Sequence, residues 1–314
     1  MTDQEHLWER RVITKLAQAS LKEQKRARRW SIFFKFLIFA YFTFILFMFV
    51  EPDITKATIS QKHTALVDLS GVISDSSEAS ADNVISGLRN AFEDENTAGV
   101  ILRANSPGGS PVQSGYIFKE IKRLRELHPD TPLYAVVTDV CASGCYYVVS
   151  AADDIYVDKA SIVGSIGVRM DSFGFVDTLE KIGVERRLYT AGESKGFLDP
   201  FLPSKPDDVE HVKTLLENIH EQFIASVKEG RGDRLKDSPG LFTGLVWTGE
   251  EGLAMGLADE IGSSGHVARE VIGEEEIVDF TEKPDLLERL SDRIGVAMAR
   301  GMSEMFVNGM GTLR

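Results

Sequence analysis

Hydrophobic and polar positions along the middle of the chain alternate between the period of strands and the period of helices. Short apolar runs at Thr64–Ile73, Ala98–Ala104 and Leu133–Asp139 are typical of buried strands. Between them, Ala81–Asp94 and Ser110–Leu127 repeat apolar residues at helical spacing. Strands and helices that alternate in this way predict crossover units around a largely parallel sheet, so we expect an α/β fold.

The later part of the chain continues with two more strand-like runs, DIYVD and IVGSIGV, and then becomes helical. Residues 205–230 form the longest helical pattern, and Thr248–Gly262 predicts a short helix with a glycine near its end. Residues 284–306 have an amphipathic pattern. We therefore predict one folded domain over residues 62–275, followed by a C-terminal helical extension over residues 276–314.

A long apolar segment lies near the N-terminus. Ser31–Val50 contains eight Phe and one Tyr, and about 20 apolar residues suffice to cross a bilayer as a helix. Its single charge, Lys35, is close enough to the start to reach the headgroups. A buried core helix is the alternative, but such helices seldom run so long or so aromatic. A cleaved signal peptide would have a shorter apolar region and a small-x-small site, whereas FMFVEPD follows here, so we expect an N-terminal transmembrane helix over residues 31–50.

The charges beside this segment predict its orientation. The preceding flank KEQKRARRW is basic, whereas the following flank EPDITK is not. Positive flanks stay in the cytoplasm, so residues 1–30 form a predicted cytoplasmic segment, residues 51–61 a linker, and the folded domain lies outside. The basic run could bind RNA, but contact with anionic lipid in the bilayer is the simpler interpretation.

Charge and cysteine content exclude several other classes. The net charge of −13 divides into +5 over residues 1–50 and −18 over the rest, which argues against nucleic acid as a partner of the main domain. Only Cys141 and Cys145 occur, so a disulfide framework and a four-cysteine zinc site are both excluded. We interpret both as small apolar packing residues, with a redox role as the alternative.

The motif RANSPGGSP, residues 103–111, stands between a predicted strand and a predicted helix. The pair Gly108 and Gly109 permits a bent turn that aims two N–H groups at one oxygen, as in a phosphate site or an oxyanion hole. Phosphate loops carry GxxxxGK[ST] or GxGxxG, and neither is present. An ordinary tight turn between strand and helix is the structural alternative.

Ser143, in DVCASGCYYVVSAAD, occupies a second predicted junction of strand and helix. It is either a nucleophile or a small packed residue, and a nucleophile needs a base. None of the six histidines lies in a motif that suggests a Ser-His-Asp triad. A lysine can serve instead when burial keeps it neutral, and Lys195 in TAGESKGFLDPF is a candidate.

Five motifs occur in a fixed order over about residues 62–265: ANSPGGS, ASGCYY, VGSIGV, ESKGFLDPF and TGEEGLAMGLAD. Together, after one apolar segment, they resemble the signal peptide peptidase A (protease IV) family of bacteria. The resemblance implies a ClpP/crotonase-like fold and a Ser-Lys dyad that uses no metal and no cofactor. It also implies a homo-oligomeric ring whose active sites form where neighbouring protomers meet.

The same resemblance implies a role for individual residues. Ser143 matches the nucleophile, Lys195 the general base, and Ser165 the serine that hydrogen-bonds the lysine. Gly108, Gly109 and Gly144 match the oxyanion hole. The sequence departs from the family pattern at Cys145, which replaces a glycine common in the family. Lys159 is a second lysine near these residues in the sequence; we interpret it as a solvated charge, and it is the alternative base.

These expectations combine into one predicted function. The protein would be a serine endopeptidase of the bacterial inner membrane, with its peptidase domain in the periplasm, degrading signal-peptide remnants and other hydrophobic or unfolded exported peptides. The extended substrate would pair as an added strand beside the site. The alternatives are a crotonase-like acyl-CoA enzyme, which an extracytoplasmic location disfavours, and a catalytically silent membrane scaffold that binds peptides.

Overall fold

The computed structural model describes residues 3–49 and 61–282, which fall into two compact units. The first unit contains α1 (Asp3–Phe49), a single helix of 47 residues. The aromatic side chains described between residues 30 and 44 are exposed, with Phe36 at 71% and Phe39 at 69%. Within the two described ranges, no helix combines the length and the apolar character needed to cross a membrane. Residue 50 and most of the predicted linker lie outside the described residues.

The second unit contains eight strands and seven helices within the described residues. The strands are β1 (His63–Ser70), β2 (Thr97–Ser106), β3 (Leu133–Ala142), β4 (Asp154–Val157), β5 (Ile162–Gly164), β6 (Val246–Thr248), β7 (Glu260–Ile261) and β8 (Ile277–Asp279). The helices are α2 (Ala81–Glu93), α3 (Pro111–Leu127), α4 (Gly144–Val149), α5 (Val176–Lys181), α6 (Pro206–Arg231), α7 (Gly249–Met255) and α8 (Ser264–His266), with a 3-10 turn at Gly232–Arg234 and a π-helical turn at Val267–Ile272.

One sheet joins all eight strands. The main order is β6-β5-β3-β2-β1-β8, with β4 paired to β3 and β7 paired to β4. Every pairing is parallel except β5 with β6, which is antiparallel. The α/β fold and the largely parallel sheet are therefore confirmed. In a parallel sheet the carboxyl ends of neighbouring strands lie at one edge, which brings the ends of β2 and β3 together.

Helix α2 buries its apolar face on the sheet, as the spacing predicts. In α2 the inward residues Val84, Leu88 and Phe92 are each no more than 4% exposed. The helix begins after Ser80, whose side chain accepts a hydrogen bond from the Asn83 N–H. Full burial of one such side chain contributes about 1.5–3 kcal/mol, so this face holds α2 to the sheet.

A cluster of charges links α2 to α3. Arg89 Nε donates to Glu120 at 2.7 Å, and Arg123 donates to the same carboxylate from one turn further along α3. The hydrogen bond from Arg123, assisted by that from Arg89, outweighs the effect of burial and lowers the pKa of Glu120 to about 2. The carboxylate is therefore ionised throughout the neutral range.

The C-terminal end of the described chain belongs to the sheet. Strand β8 pairs with β1, and the Phe280 N–H donates to the Leu66 carbonyl at 2.8 Å. The first residues of the predicted helical extension are therefore a strand and not a helix. Residues 283–314 of that extension lie outside the described residues.

Candidate active site

Ser143 connects β3 to α4 in an unusual backbone conformation. Its φ is 55° and its ψ is −123°, a region that L residues seldom adopt and that costs about 1–3 kcal/mol. Two backbone hydrogen bonds hold it: its N–H donates to the Gly164 carbonyl at 2.8 Å, and its carbonyl accepts from Tyr147 N at 3.0 Å. Such strain persists only where the surroundings impose it, so the side chain of Ser143 is held in one direction by its neighbours.

The short helix α4 is anchored on both sides. The fully buried Tyr146 donates its hydroxyl hydrogen to the Leu257 carbonyl at 2.8 Å, and burial raises the pKa of that phenol. Tyr147 stacks on Phe223 with ring centroids 5.0 Å apart. The helix therefore cannot shift to relieve the strain at Ser143 without breaking buried contacts.

A buried ion pair supports the layer behind α4. Arg231, at the end of α6, is 1% exposed and donates two hydrogen bonds of 2.8 Å to Asp259 and one of 3.0 Å to the Gly256 carbonyl. Burial alone would raise the pKa of Asp259, but the hydrogen bonds and charge of Arg231 outweigh burial and lower it. The pair is thus ionised, which satisfies a guanidinium that solvent does not reach.

The glycine turn lies directly against the Ser143 turn. Gly108 has φ 93° and Gly109 has φ 154°. A Cβ built on Gly108 would stand 2.6 Å from the Ala142 carbonyl oxygen, 2.7 Å from Gly144 N and 2.9 Å from the Ser143 Cβ. Since two of these atoms are backbone, only glycine fits here, and the two turns that the sequence singled out meet in space.

The N–H groups of the two turns differ in their partners. The Gly108 N–H donates to Ser106 Oγ at 3.1 Å. Within residues 61–282, neither the Gly109 N–H nor the Gly144 N–H has a hydrogen-bond acceptor. A Cβ on Gly144 would stand 3.2 Å from Gly109 N, so the two unpaired donors are neighbours beside Ser143. Unpaired backbone donors are uncommon in folded proteins, and two together can receive one anionic oxygen.

Ser165 lies next to the residue that holds Ser143. Its φ is 52°, and its N–H donates to the Leu245 carbonyl at 2.7 Å. The preceding carbonyl, of Gly164, is the acceptor for Ser143 N. The positive φ ends the strand here, so β5 is shorter than the predicted IVGSIGV strand, and the structure brings Ser165 beside the Ser143 turn.

Among the described residues, no hydrogen bond joins Lys195 to Ser143. The side chain of Lys195 is exposed, and among the described residues this side chain makes no hydrogen bond and no ion pair. The backbone N–H of Lys195 donates a hydrogen bond to the Gly192 carbonyl at 3.2 Å.

The lysine belongs to a segment, residues 167–205, that we name the excursion. The excursion carries many exposed apolar side chains: Met170, Phe173, Phe175, Ile182, Val184, Leu188, Tyr189, Phe197 and Phe201.

Lys159, the alternative base, is likewise not hydrogen-bonded to Ser143 among the described residues. Lys159 is exposed, and its carbonyl accepts from Glu250 N at 3.3 Å. In the described part of the chain, no histidine is hydrogen-bonded to Ser143, although His220 of α6 donates from Nε2 to the Ile166 carbonyl at 3.1 Å. The described residues also contain no group of three or more His, Cys, Asp or Glu that could hold a metal ion.

The two cysteines are buried in the hydrophobic core, as predicted for packing residues, but they are also bonded to each other, which the sequence analysis did not predict. Cys141 and Cys145 form a disulfide with Cα atoms 5.1 Å apart, and both are fully buried. Cys141 lies in β3, one residue before its end, and the positive φ of Ser143 turns the chain so that Cys145 comes back against it.

Sequence reasoning missed three residues around the site. Ser106 accepts the Gly108 N–H, and Ser114 lies 2.5 Å from the position of a Cβ on Gly144; both serines are fully buried. The signal for Ser106 was present, since it is part of the NSPGG motif. Nothing in the sequence pairs His220 with Ile166, because 54 residues separate them.

Comparison with known proteins finds relatives that are peptidases by name. The model of the family described as peptidase family S49 matches residues 125–277. The putative signal peptide peptidase SppA of Enterococcus faecium is 29% identical over 259 residues, covering 78% of this chain and 73% of that protein. The putative protease MJ0651 of Methanocaldococcus jannaschii is 30% identical over 219 residues, covering 68% of this chain and 70% of that protein.

A third relative matches at higher identity over a smaller share of its length. A Brucella abortus protein named Na(+)/H(+) antiporter NhaA is 47% identical over 187 residues, which cover 60% of this chain and 25% of that protein. This chain therefore spans about a quarter of the length of that relative. The putative protease, in contrast, is matched over more than two thirds of its own length and across both turns of the site. On these matches, the chain belongs to peptidase family S49, the family of signal peptide peptidase A.

Proposed function

We propose that this protein is a serine endopeptidase with Ser143 as nucleophile and Lys195 as general base. The observation that carries the proposal is the strained Ser143 turn beside the two unpaired N–H groups of Gly109 and Gly144. A nucleophile and a pair of donors for the developing oxyanion are the two requirements of acyl transfer. Family membership supports the same chemistry.

The reaction follows the ordinary course of acyl transfer. Neutral Lys195 takes the hydroxyl proton as Ser143 Oγ attacks the peptide carbonyl carbon, and the carbonyl oxygen becomes an oxyanion that the two N–H groups receive. Ser165 accepts a hydrogen bond from the resulting ammonium group. The lysine then gives its proton to the leaving amine, and water hydrolyses the acyl-enzyme by the same steps. Gly108 acts through its shape and not through its own N–H, which Ser106 already occupies.

The base would come from a neighbouring protomer. Two features support this: Lys195 is exposed and unpaired within the described chain, and the excursion around it exposes a large apolar surface. Exposed apolar patches of this kind mark surfaces that bind other proteins. Contact between protomers would also desolvate the lysine, which favours its neutral form. A ring or dome of such protomers, built on a ClpP/crotonase-like fold, is the assembly that we propose.

The substrates would be signal-peptide remnants and other hydrophobic or unfolded exported peptides. The periplasmic face of the bacterial inner membrane is the place where these peptides arise.

Support for attachment of the chain to the membrane comes from the basic flank before residue 31 and from the exposed aromatic side chains of α1. Alkaline carbonate extraction tests it: the full chain should stay with the membrane, and release into the soluble fraction would exclude an embedded anchor. Protease added to spheroplasts should reach the folded domain, and protection of that domain would reverse the proposed topology.

The catalytic proposal is tested by substitution and by acylation. Ser143→Ala and Lys195→Ala should each abolish hydrolysis of an unfolded peptide, and Ser143→Ala should abolish labelling by a fluorophosphonate probe. Ser86→Ala, on the exposed side of α2, is the matched serine control, and Lys159→Ala is the matched lysine control. Loss of activity in Lys159→Ala with full activity in Lys195→Ala would assign the base to Lys159. A wild-type protein that neither hydrolyses peptides nor is labelled would favour the scaffold alternative.

The shared site is tested by mixing the two inactive variants. In a ring of mixed subunits, some interfaces pair an intact Ser143 with an intact Lys195, so part of the activity should return. Exchange of subunits is followed in parallel with two fluorescent labels. Activity at background despite demonstrated exchange would place the dyad within one chain.

A further inference from the structure

The disulfide between Cys141 and Cys145 encloses the proposed nucleophile. Ser143 is the middle residue of the five that the bridge closes into a ring, and the flanking residues are Ala142 and Gly144. Cys141 is the second-last residue of β3, and Cys145 is the second residue of α4. The bond therefore ties together the strand and the helix whose junction holds the unusual backbone of Ser143.

We propose that this disulfide is a positioning element for catalysis, one that holds Ser143 and the Gly144 N–H in their reactive geometry. The inference rests on the proposed role of Ser143 as nucleophile. A residue at φ 55° and ψ −123° tends to relax toward an ordinary conformation unless its neighbours prevent it. The two backbone hydrogen bonds of Ser143 constrain its own N–H and carbonyl, whereas the bridge fixes the distance between the residues on either side.

Relaxation of this turn would act on the reaction in two ways. The Ser143 Oγ would lose its direction, and the Gly144 N–H would move away from the Gly109 N–H beside it. Displacement of a reacting group by about 1 Å can cost about 100-fold in rate.

Burial protects the bridge once it has formed. Cys141 and Cys145 are both fully buried, so a reductant reaches the bond only when the fold opens transiently, and reduction is slow. Formation removes two electrons and two protons from the thiols, which a small disulfide such as oxidised glutathione can accept while becoming two thiols. The proposed extracytoplasmic location provides oxidising conditions.

The first test is a cycle of three variants of the full chain: Cys141→Ala, Cys145→Ala and the double variant. Each should lower kcat for an unfolded peptide about tenfold or more, with KM changed less than about twofold. Since either substitution removes the whole bridge, the double variant should lose no more than each single one. The fluorophosphonate labelling rate should fall in parallel. Leu88→Ala, in the buried face of α2, is the control for stability alone: it should lower the melting temperature and leave kcat unchanged at assay temperature.

The results separate this inference from the proposed function. A wild-type chain that is not labelled at Ser143 refutes the proposed function. A labelled wild type with variants of equal kcat refutes the positioning role, and losses that add between the single variants also refute it, because they indicate two independent packing contacts.

A second measurement covers the case in which the variants fail to fold. The wild-type chain is incubated with excess dithiothreitol until the buried bridge is reduced, and free thiols are counted with iodoacetamide in separate denatured samples. Activity is measured before reduction, after reduction and after reoxidation with oxidised glutathione. We expect activity to fall as two thiols appear and to return as they disappear. Unchanged activity with two free thiols, or two reactive thiols in the denatured protein before any reduction, would overturn the inference.

Discussion

Replacement of Gly108 by alanine is the sharpest test of the oxyanion geometry. The residue has φ 93°, and an alanine in the left-handed region costs about 1–2 kcal/mol of folding free energy. The added methyl would also stand 2.6 Å from the Ala142 carbonyl oxygen and 2.7 Å from Gly144 N. Both are backbone atoms that cannot rotate away, so one of the two turns must move by several tenths of an ångström.

That movement falls on the donors that the mechanism requires. The methyl would push directly on Gly144 N, and the N–H of Gly109 follows in the same turn. Removal of one oxyanion donor elsewhere has cost about 100- to 1,000-fold in kcat, or roughly 2.7–4 kcal/mol. We therefore expect Gly108→Ala to lower kcat about 100-fold or more.

The assay compares this variant with a glycine of similar conformation in an open setting. Gly273 has φ 86°, and no atom lies within 4 Å of the position that its Cβ would take. Gly273→Ala should lower the free energy of unfolding by about 1–2 kcal/mol through backbone strain and leave kcat/KM unchanged. Both are measured by denaturant unfolding and peptide hydrolysis at one temperature. A folded Gly108→Ala protein with wild-type kcat would refute the assignment of the turn to the oxyanion hole.

Three further outcomes follow from the contacts described above. Glu120→Gln should lower the free energy of unfolding at pH 7 by about 1 kcal/mol, a value reduced because both arginine partners are half exposed. Because the pKa of Glu120 is lowered to about 2, this difference should be full above about pH 4.5 and vanish as pH falls toward 2, followed by urea unfolding; a constant difference would contradict the ion pair. Asp259→Asn should cost about 3 kcal/mol or more, since it leaves the buried Arg231 without its carboxylate, and a loss below about 1 kcal/mol in denaturant unfolding would show that solvent reaches the guanidinium. Ser106→Ala leaves the Gly108 N–H without an acceptor and should lower kcat in peptide hydrolysis with little change in KM. An unchanged kcat would mean that this hydrogen bond does not support the turn.

The local patterns of the chain determined most of the fold. The buried strands β1, β2 and β3 were predicted within a few residues because their apolar runs are short and bounded by turns. The helices α2, α3 and α6 were predicted because their apolar residues recur at helical spacing. The motif order also identified the family, and both glycine and serine motifs proved to be neighbours in space.

Tertiary structure decided what local patterns do not encode. The disulfide depends on the positive φ of Ser143, and β8 joins the sheet through β1, more than 200 residues earlier in the chain. The bond between the Gly108 N–H and Ser106 Oγ leaves Gly109 and Gly144 as the unpaired donors. The physical reason is that hydrophobic period and turn propensity act over a few residues, whereas pairing of buried donors, acceptors and thiols depends on how distant segments pack. The sequence by itself indicated Ser143 and the turn at Gly108 and Gly109 as candidate site elements. Only the packing of these two turns against each other determined which N–H groups stay free to receive an oxyanion.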